Sequence, residues 1–260
     1  LLFRILDFPN RILLRSSHGI IVLGRDMKGL IAGKVSDGPD DRIRVIPNWA
    51  MDEVVSALPE VGTETVRERM GIRKDSFLLV YNGNHGRTHF LEVWQAVAEE
   101  LSDDPRFQFL FAGEGSGKAR FAEAVEGSGL KNIHLSSFVP REDLVPLLRS
   151  ADLLLLSFCP GMSGVSVPSR MYNLMASARP VLAIADTESE VAQVLEEEDC
   201  GWTFSPEGSP KEIAKKVAPL LRELVKNRDR LAEKGKNGRK AVLEKYTREK
   251  VVERYREVLC

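Results

Sequence analysis

The feature of this sequence that most restricts its fold is a repeated alternation of short apolar runs with amphipathic segments. The apolar runs are rich in Val, Ile, Leu and Phe and show little polar alternation, which is typical of strands covered on both faces. They fall at residues 19–23, 43–46, 77–81, 107–111, 133–135, 153–156, 181–184 and 202–204. The amphipathic segments include 90–101, 118–126, 141–149 and 190–197. The pattern predicts an α/β fold, a doubly wound Rossmann-like parallel sheet with helices on both faces.

The chain divides into four predicted regions. Residues 1–46 hold too few elements for a domain, so we interpret them as the end of a truncated N-terminal domain of a longer protein. Residues 47–75 are punctuated by Pro and Gly and form the predicted linker between domains. Residues 76–206 carry the alternation and form the predicted Rossmann-like domain. Residues 207–260 hold no strand-like run and predict helices that pack back on both domains.

Charge and cysteine content exclude several classes of protein. The formal net charge of −1 over 260 residues lacks the basic excess of a nucleic-acid-binding domain, so we expect no nucleic-acid partner. Cys159, Cys200 and Cys260 form no CxxC pair, which indicates neither a disulfide framework nor a zinc site. Residues 207–260 carry more Lys and Arg than Asp and Glu, which predicts either a solvated helical face or attraction to an acidic membrane surface or neighbouring domain.

A glycine-containing loop follows the apolar run at residues 77–81 and precedes a helical segment. Such a turn exposes backbone N–H groups at a helix N-terminus, where Gly83 and Gly86 would let a phosphate approach and Arg87 would add a charge-assisted contact. The alternative is a tight turn whose glycines serve backbone conformation alone. His85 and His89 have the spacing of metal ligands on a helix, but no third ligand lies nearby, so we expect no metal.

Further candidate residues follow other predicted strands along the same edge of the sheet. Gly113 lies in a loop at 111–118 that lacks the Walker A spacing. Phe138 and Val139 follow the next strand, where they would either border a flat base or simply connect a strand to a helix. Glu190 starts a predicted helix after residues 181–184. There it would either interact favourably with the positive end of the helix dipole or bind a sugar hydroxyl.

The segment 159–173 is the richest in candidate residues. A Gly/Ser-rich loop passes into a predicted helix, with Ser169 and Arg170 at its start. A cation at a helix N-terminus is repelled by the positive end of the helix dipole. Its presence there favours an anion that binds both the cation and the helix N-terminus. Tyr172 and Asn173 would follow, either facing a ligand or lying in the core and on the surface respectively.

Five motifs occur along the chain in a characteristic order. They are Gly83-Asn84-x-Gly86-Arg87-x-His89, Gly113-x-Gly115, Val167-Pro168-Ser169-Arg170-x-Tyr172, Met175-Ala176-Ser177-Ala178-Arg179-Pro180-Val181 and Glu188-Ser189-Glu190-Val191. Together they resemble the C-terminal half of group 1 glycosyltransferases, and most closely the subgroup that builds bacterial surface polysaccharides such as colanic acid and O-antigen. The resemblance covers about residues 18–258.

The resemblance implies a GT-B fold, retention of anomeric configuration and metal-independent transfer, with the donor on this half and no cofactor. It implies that the donor diphosphate is held by Gly83, Asn84, Gly86, Arg87, Ser169 and Arg170. Arg87 and Arg170 would be catalytic, by stabilising the leaving group. It further implies a base and ribose site at Gly113, Phe138, Val139, Tyr172 and Asn173, and a sugar site at His89, Ser163, Gly164, Val165 and Glu190.

Two positions depart from the pattern of many group 1 members. Those members carry one glutamate near the sugar and a second on the ribose, where this chain has Val165 and Asn173. The subgroup with Pro-Ser-Lys/Arg-x-Tyr tolerates this change.

The resemblance implies transfer of a sugar from a UDP- or GDP-linked donor to a saccharide or lipid-linked acceptor, by an enzyme on the cytoplasmic side of the membrane or peripherally on its inner face. We expect this chain alone to be inactive. Two alternatives stay open: a nucleotide-sugar epimerase of the same fold, which would need acid/base carboxylates in the cleft, and a fragment that binds sugar nucleotides without catalysis.

Overall fold

The computed structural model describes residues 2–35, 40–57, 63–137 and 139–259. In this part of the chain six parallel strands form one sheet in the order β5-β4-β3-β6-β7-β8. The strands are β3 (Phe77–Asn82), β4 (Phe107–Ala112), β5 (Ile133–Ser136), β6 (Leu153–Ser157), β7 (Val181–Ile184) and β8 (Gly201–Phe204). Each coincides with a predicted apolar run to within one residue at either end. The predicted parallel α/β sheet is confirmed.

The strands are continuously apolar because the sheet is covered on both faces. Along β3, Leu78 and Val80 point into one core, whereas Phe77, Leu79 and Tyr81 point into the other. Both sets are fully buried. A strand whose two faces are both dry needs apolar residues at every position, which is why period-2 alternation is absent from the sequence.

Helices cover the two faces in separate groups. One face packs against α5 (Leu91–Glu100), α6 (Lys118–Ser128) and α10 (Pro210–Leu224), and the other against α7 (Leu144–Ser150), α8 (Arg170–Ala176), α9 (Glu190–Glu197) and α11 (Arg228–Lys245). A 3₁₀ turn at Arg141–Asp143 precedes α7, and α12 (Arg248–Leu259) follows α11. The described helices include none with the length and apolar content to cross a membrane.

A smaller unit precedes the six-stranded sheet. It consists of α1 (Leu2–Ser16), β1 (Ile20–Val22), α2 (Arg25–Val35) and β2 (Ile43–Val45), with β1 and β2 parallel. Between the two units, α3 (Asp52–Ser56) and α4 (Thr63–Arg69) contribute Val54 and Val66 to the core of the larger sheet. The predicted linker is therefore built into the packing of the larger unit along much of its described length.

The strand order places a topological switch point between β3 and β6. From β3 the chain moves outward to β4 and β5, and α7 then returns it to β6 on the other side of β3. Loops that leave the carboxyl ends of β3 and β6 diverge there and open a crevice, which is where open α/β sheets bind ligands. The loops predicted to carry the chemistry, at residues 83–90 and 158–169, are the two that flank this point.

Asp152 joins the opposite, amino-terminal edge of the sheet to α4. Its carboxylate accepts hydrogen bonds from the Leu78 amide (2.8 Å), Arg67 Nη2 (2.9 Å) and Arg228 Nη1 (2.7 Å). We predict that Asp152→Ala lowers the free energy of unfolding by about 3 kcal/mol, because it removes the counter-charge of the largely buried Arg67 guanidinium and leaves the Leu78 amide without its acceptor. Urea denaturation measures the loss. Asp75→Ala, which removes an exposed pair with Arg73, is the control and should cost under about 1 kcal/mol.

Candidate functional site

Arg170 reaches from the first residue of α8 to the end of β3. Its Nη1 donates a hydrogen bond to the Asn82 carbonyl (2.5 Å), and its guanidinium carbon lies 4.3 Å from the centroid of the Tyr81 ring. The Tyr81 hydroxyl donates to the Asn84 carbonyl (2.9 Å), so the ring beneath the cation also holds the loop. The Arg170 Nη2 is buried and has no hydrogen-bond partner among the described residues. The Arg170 guanidinium is thus fixed on the loop after β3, across the switch point.

Glycines after β3 and β4 allow these loops to pack at very short distances. Gly83 has a φ of +147°, and a Cβ there would lie 2.2 Å from Arg170 Nη1. Gly113 has a φ of +154°, and its Cβ would lie 1.9 Å from the Gly83 carbonyl oxygen. The absence of a side chain at Gly83 makes room for Arg170. The absence of a side chain at Gly113 makes room for the backbone of Gly83. Both therefore serve the construction of the site, whatever ligand it binds.

Two histidines in the first loop are held in an apolar, cationic environment. His85 is 1% exposed, lies against the Tyr81 and Phe121 rings, and has no hydrogen-bond partner for either ring nitrogen among the described residues. Burial lowers its pKa to about 4, assisted by the charges of Lys118 and Arg170. Burial and the charge of Arg170 also lower the pKa of His89 to about 4. At neutral pH, both are uncharged.

Arg87 lies on the same loop with an exposed side chain. It lines a cavity of about 410 Å³ together with Gly86, and the starts of α5 and α6 form the remaining wall. The exposed Asn84 precedes it, and the exposed Ser169 immediately precedes Arg170. The structure therefore brings Arg170 against the loop that carries Arg87 and leaves the Arg87 guanidinium accessible. Their roles toward a diphosphate stay predictions.

Two carboxylates that are distant in sequence accept hydrogen bonds from the backbone amides of the loop after β6. Asp186 accepts hydrogen bonds from the amides of Gly161 (3.1 Å) and Ser163 (2.8 Å). Asp26, in the smaller unit, accepts from the amides of Gly164 (2.9 Å) and Glu190 (3.1 Å). These two acids fix the shape of the segment predicted to meet the sugar. Because the amides already have partners, the segment offers a sugar its side chains and carbonyls first.

Three predicted ligand residues have protein partners in the structure. The Asn173 Oδ1 accepts a hydrogen bond from the Met51 amide (2.7 Å) and so holds the segment before α3. Glu190 is buried and accepts from the Arg25 amide (2.7 Å) and from Arg25 Nε (3.0 Å), which ties the two units together. Tyr172 is buried, with its ring 4.8 Å from the Tyr246 ring. These contacts give each residue a structural role, and the predicted ligand contacts stay predictions.

The remaining predicted positions lie around the same edge. Val139 lines an apolar cavity of about 160 Å³ beside Ala112 and Ser136, at the ends of β4 and β5. Val165 is 58% exposed at the tip of the loop after β6. Phe138 lies outside the described residues. In the part of the chain that the structure describes, no group of three His, Cys, Asp or Glu side chains is placed to hold a metal ion.

Sequence reasoning missed the residues that position the site. The apolar run at 77–81 predicts Tyr81 at the end of a strand, and nothing in the sequence indicates that its ring supports Arg170. No sequence pattern indicates a role for Asp26, because more than a hundred residues separate it from the amides that it binds. Asp186 had one signal, since it directly follows the β7 region at the edge of the sheet that binds ligands in such folds.

Solved structures define the class of this fold. Anabaena HepE, in a crystal structure with UDP-glucose, is similar to this chain with a TM-score of 0.73 and 14% identity, over 94% of this chain and 64% of HepE. At that identity the similarity shows the fold alone, which is of the GT-B class.

The family follows from the sequence. A family model described as glycosyl transferases group 1 matches residues 62–238, more than half of the chain. The chain belongs to the group 1 glycosyltransferases, and the resemblance drawn from its motifs is confirmed. The matched residues include the loops after β3 and β6.

Two bacterial relatives of this chain are named as glycosyltransferases. WbjE of Pseudomonas aeruginosa, named as a probable glycosyltransferase, is 28% identical over 198 residues, which are 74% of this chain and 46% of WbjE. WcaI of Escherichia coli K12 carries the name of a colanic acid biosynthesis glycosyl transferase and is 24% identical over 156 residues, or 60% of this chain and 38% of WcaI. The chain thus spans less than half the length of either relative.

The close approach at Gly113 gives a direct test of the loop packing. We predict that Gly113→Ala lowers the free energy of unfolding by at least about 2 kcal/mol, because the new Cβ adds backbone strain and meets a rigid carbonyl. Thermal or urea unfolding measures the loss. The matched control is Gly127→Ala in α6, where a Cβ meets nothing within 4 Å. It should stabilise by about 0.5–1 kcal/mol, and equal effects of the two substitutions would contradict the packing.

The lowered histidine pKa values predict a pH dependence of stability. The unfolded chain takes up protons near the ordinary pKa of 6.5, whereas native His85 and His89 resist protonation until about pH 4. The free energy of unfolding is therefore greatest above pH 6.5 and falls as the pH drops toward 4. We expect His85→Phe, which keeps the ring packing, to flatten this decline in urea unfolding between pH 7.5 and 4.5. Exposed His18→Gln is the control, and an unchanged slope in His85→Phe would contradict the assignment.

Proposed function

We propose that this chain is the donor-binding half of a glycosyltransferase that acts with retention in bacterial polysaccharide biosynthesis. The donor is a sugar linked to UDP or GDP, and the acceptor is a saccharide or a lipid-linked saccharide. Family membership, the name carried by WcaI and the UDP-glucose held by HepE support this proposal. The observation that carries it is the docking of Arg170 on the loop after β3 at the switch point.

The chemistry proposed for the arginines is stabilisation of the leaving group. Breaking the bond between sugar and phosphate builds negative charge on the diphosphate, and donors fixed in advance stabilise that charge without reorganisation. Arg170 is fixed in this way by Asn82 and Tyr81, and its Nη2 has no other protein partner among the described residues. Arg87, exposed on the same loop, supplies a second guanidinium. Since the two loop histidines are neutral at pH 7, they add no positive charge to that of the two arginines.

The other ligand contacts follow the order of loops along the edge. We place the diphosphate at Gly83, Asn84, Gly86, Arg87, Ser169 and Arg170. The base and ribose lie toward Gly113, Phe138, Val139, Tyr172 and Asn173, and the sugar toward His89, Ser163, Gly164, Val165 and Glu190. The apolar cavity beside Val139 is suited to a flat base. The carboxylates of Asp26 and Asp186 hold the sugar-side loop in its shape and act as positioning residues.

The acceptor and the cellular location complete the proposal. Group 1 enzymes with two Rossmann-like domains bind the acceptor on the N-terminal one, to which β1 and β2 correspond in this chain. We place the enzyme on the cytoplasmic side, where sugar nucleotides are made, and in peripheral contact with the membrane through the basic helices from α10 onward. Attraction of that surface to anionic lipid should weaken with salt.

The two arginines provide the test of the proposed chemistry. In the full-length enzyme we predict that Arg87→Ala and Arg170→Ala each lower turnover by about 10²–10³-fold, the effect of losing one donor to a developing oxyanion. Both should leave the circular dichroism spectrum close to wild type, and Arg87→Ala, which removes an exposed side chain, should also leave the melting temperature unchanged. Radiolabelled sugar transfer measures turnover, and near-normal rates in both variants would refute the assignment.

Binding to this chain separates donor recognition from transfer. Calorimetry should show binding of either UDP or GDP, weakened about tenfold or more by Arg170→Ala. The matched control is Arg106→Ala, which removes an arginine at the opposite end of β4 that pairs with Asp104. It should leave nucleotide affinity unchanged. Equal losses in the two variants would indicate a general charge effect instead of a donor site.

A further inference from the structure

The amino-terminal edge of the sheet, opposite the proposed donor site, carries a concentration of positive charge. We define the arginine cluster by its five members, Arg67, Arg149, Arg179, Arg228 and Arg239. Arg67 and Arg228 bind Asp152, which directly precedes β6. Arg149 and Arg239 share the Ala57 carbonyl through their Nη2 atoms (2.9 and 3.4 Å). Arg179 donates to the Arg149 carbonyl (2.7 Å) and Arg67 to the adjoining Ser150 carbonyl (2.7 Å), so shared acceptors at the end of α7 connect the five residues.

The end of α7 accounts for two members of the cluster. The Arg67 Nη2 donates to the Ser150 carbonyl (2.7 Å), and the Arg179 Nη2 donates to the Arg149 carbonyl (2.7 Å). The last carbonyls of a helix lack intrahelical partners and carry partial negative charge, so cations at that end stabilise it. These contacts explain the positions of Arg67 and Arg179. They do not explain Arg149, which belongs to α7 itself.

The cluster holds more positive charge than its neighbours balance. Among the described residues, Asp152 is the one carboxylate that bonds to it, against five guanidiniums. Arg149 is only 4% exposed, and its Nη1 has no hydrogen-bond partner in the described part of the chain. Burial and the charges of Arg239 and Arg179 lower the pKa of Arg149. A buried cation among like charges is costly unless an anion compensates it.

We propose that the arginine cluster is a binding site for a phosphate group, separate from the donor site. A cavity of about 230 Å³ opens at this position and is lined by Arg67, Lys74, Arg149, Ser150, Ala151, Asp152 and Arg179. A phosphate dianion offers several acceptor oxygens, which suits forked guanidinium donors better than a single carboxylate. The phosphate belongs either to a soluble molecule or to a lipid headgroup.

The site is distinct from the proposed donor site by topology. Asp152 and Arg179 precede β6 and β7, whereas the donor loops follow the strands at their carboxyl ends. The five residues of β6 separate the two edges by about 16 Å at the usual rise per residue. One diphosphate therefore cannot occupy both places, and each can be removed by substitution without touching the other.

Thermal unfolding in inorganic phosphate tests the proposal. At pH 7.5 we expect phosphate to raise the melting temperature above that in sodium chloride of equal ionic strength, with saturation at a defined concentration. Arg149→Met should abolish the rise, while Arg106→Met, which removes an arginine paired with Asp104 outside the cavity, should retain it. Lys74→Met removes an exposed charge from the cavity wall without touching the core, and should raise the half-saturating phosphate concentration by about threefold.

Vesicles distinguish the two sources of phosphate. Flotation with phosphatidylcholine vesicles containing phosphatidic acid, but not with phosphatidylcholine alone, assigns a lipid headgroup if Arg149→Met loses it. Protection by inorganic phosphate without vesicle binding assigns a soluble ligand. The proposal is overturned if phosphate and vesicles both have no effect, or if the effects persist in Arg149→Met. Should that variant fail to fold, an unchanged half-saturating phosphate concentration in Lys74→Met overturns it.

Discussion

The contact between Arg170 and the end of β3 is the interaction on which the candidate site depends. It joins two loops that diverge at the switch point, and it fixes a guanidinium over the Tyr81 ring before any ligand arrives. This contact requires a glycine at position 83, because any Cβ there would overlap the guanidinium. A fixed cation at this place is what the proposed leaving-group chemistry needs.

Charge is distributed unequally between the two edges of the sheet. At the carboxyl edge, two arginines stand beside histidines that burial keeps neutral, so the histidines add no positive charge to that of the guanidiniums. Along the loop after β6 at the same edge, Asp26 and Asp186 accept hydrogen bonds from the loop amides, and Arg25 binds Glu190. These ion pairs and hydrogen bonds connect the smaller unit to the larger one. Any movement of the two units would have to break them, and would therefore reshape the loop proposed to meet the sugar.

The sheet could be predicted because its signal is local. The run at residues 153–156 is apolar at every position because both faces are covered, and that property can be recognised without knowledge of any neighbour. The candidate loops could also be predicted, since they directly follow strands. The partners of Asn173 and Glu190 could not, because they lie 122 and 165 residues away in sequence. The same holds for Gly113, whose role is to let a carbonyl approach.

By itself, the sequence determined the α/β class, the positions of the strands, the family and the edge of the sheet where chemistry was expected. Tertiary structure decided which of the polar residues on that edge remain accessible: Arg87 is exposed, whereas Glu190 and Asn173 are bound to other parts of the chain. It also decided that five arginines scattered from Arg67 to Arg239 form one cluster. The physical reason is that periodicity depends on neighbours along the chain, whereas charge compensation and close packing depend on neighbours in space.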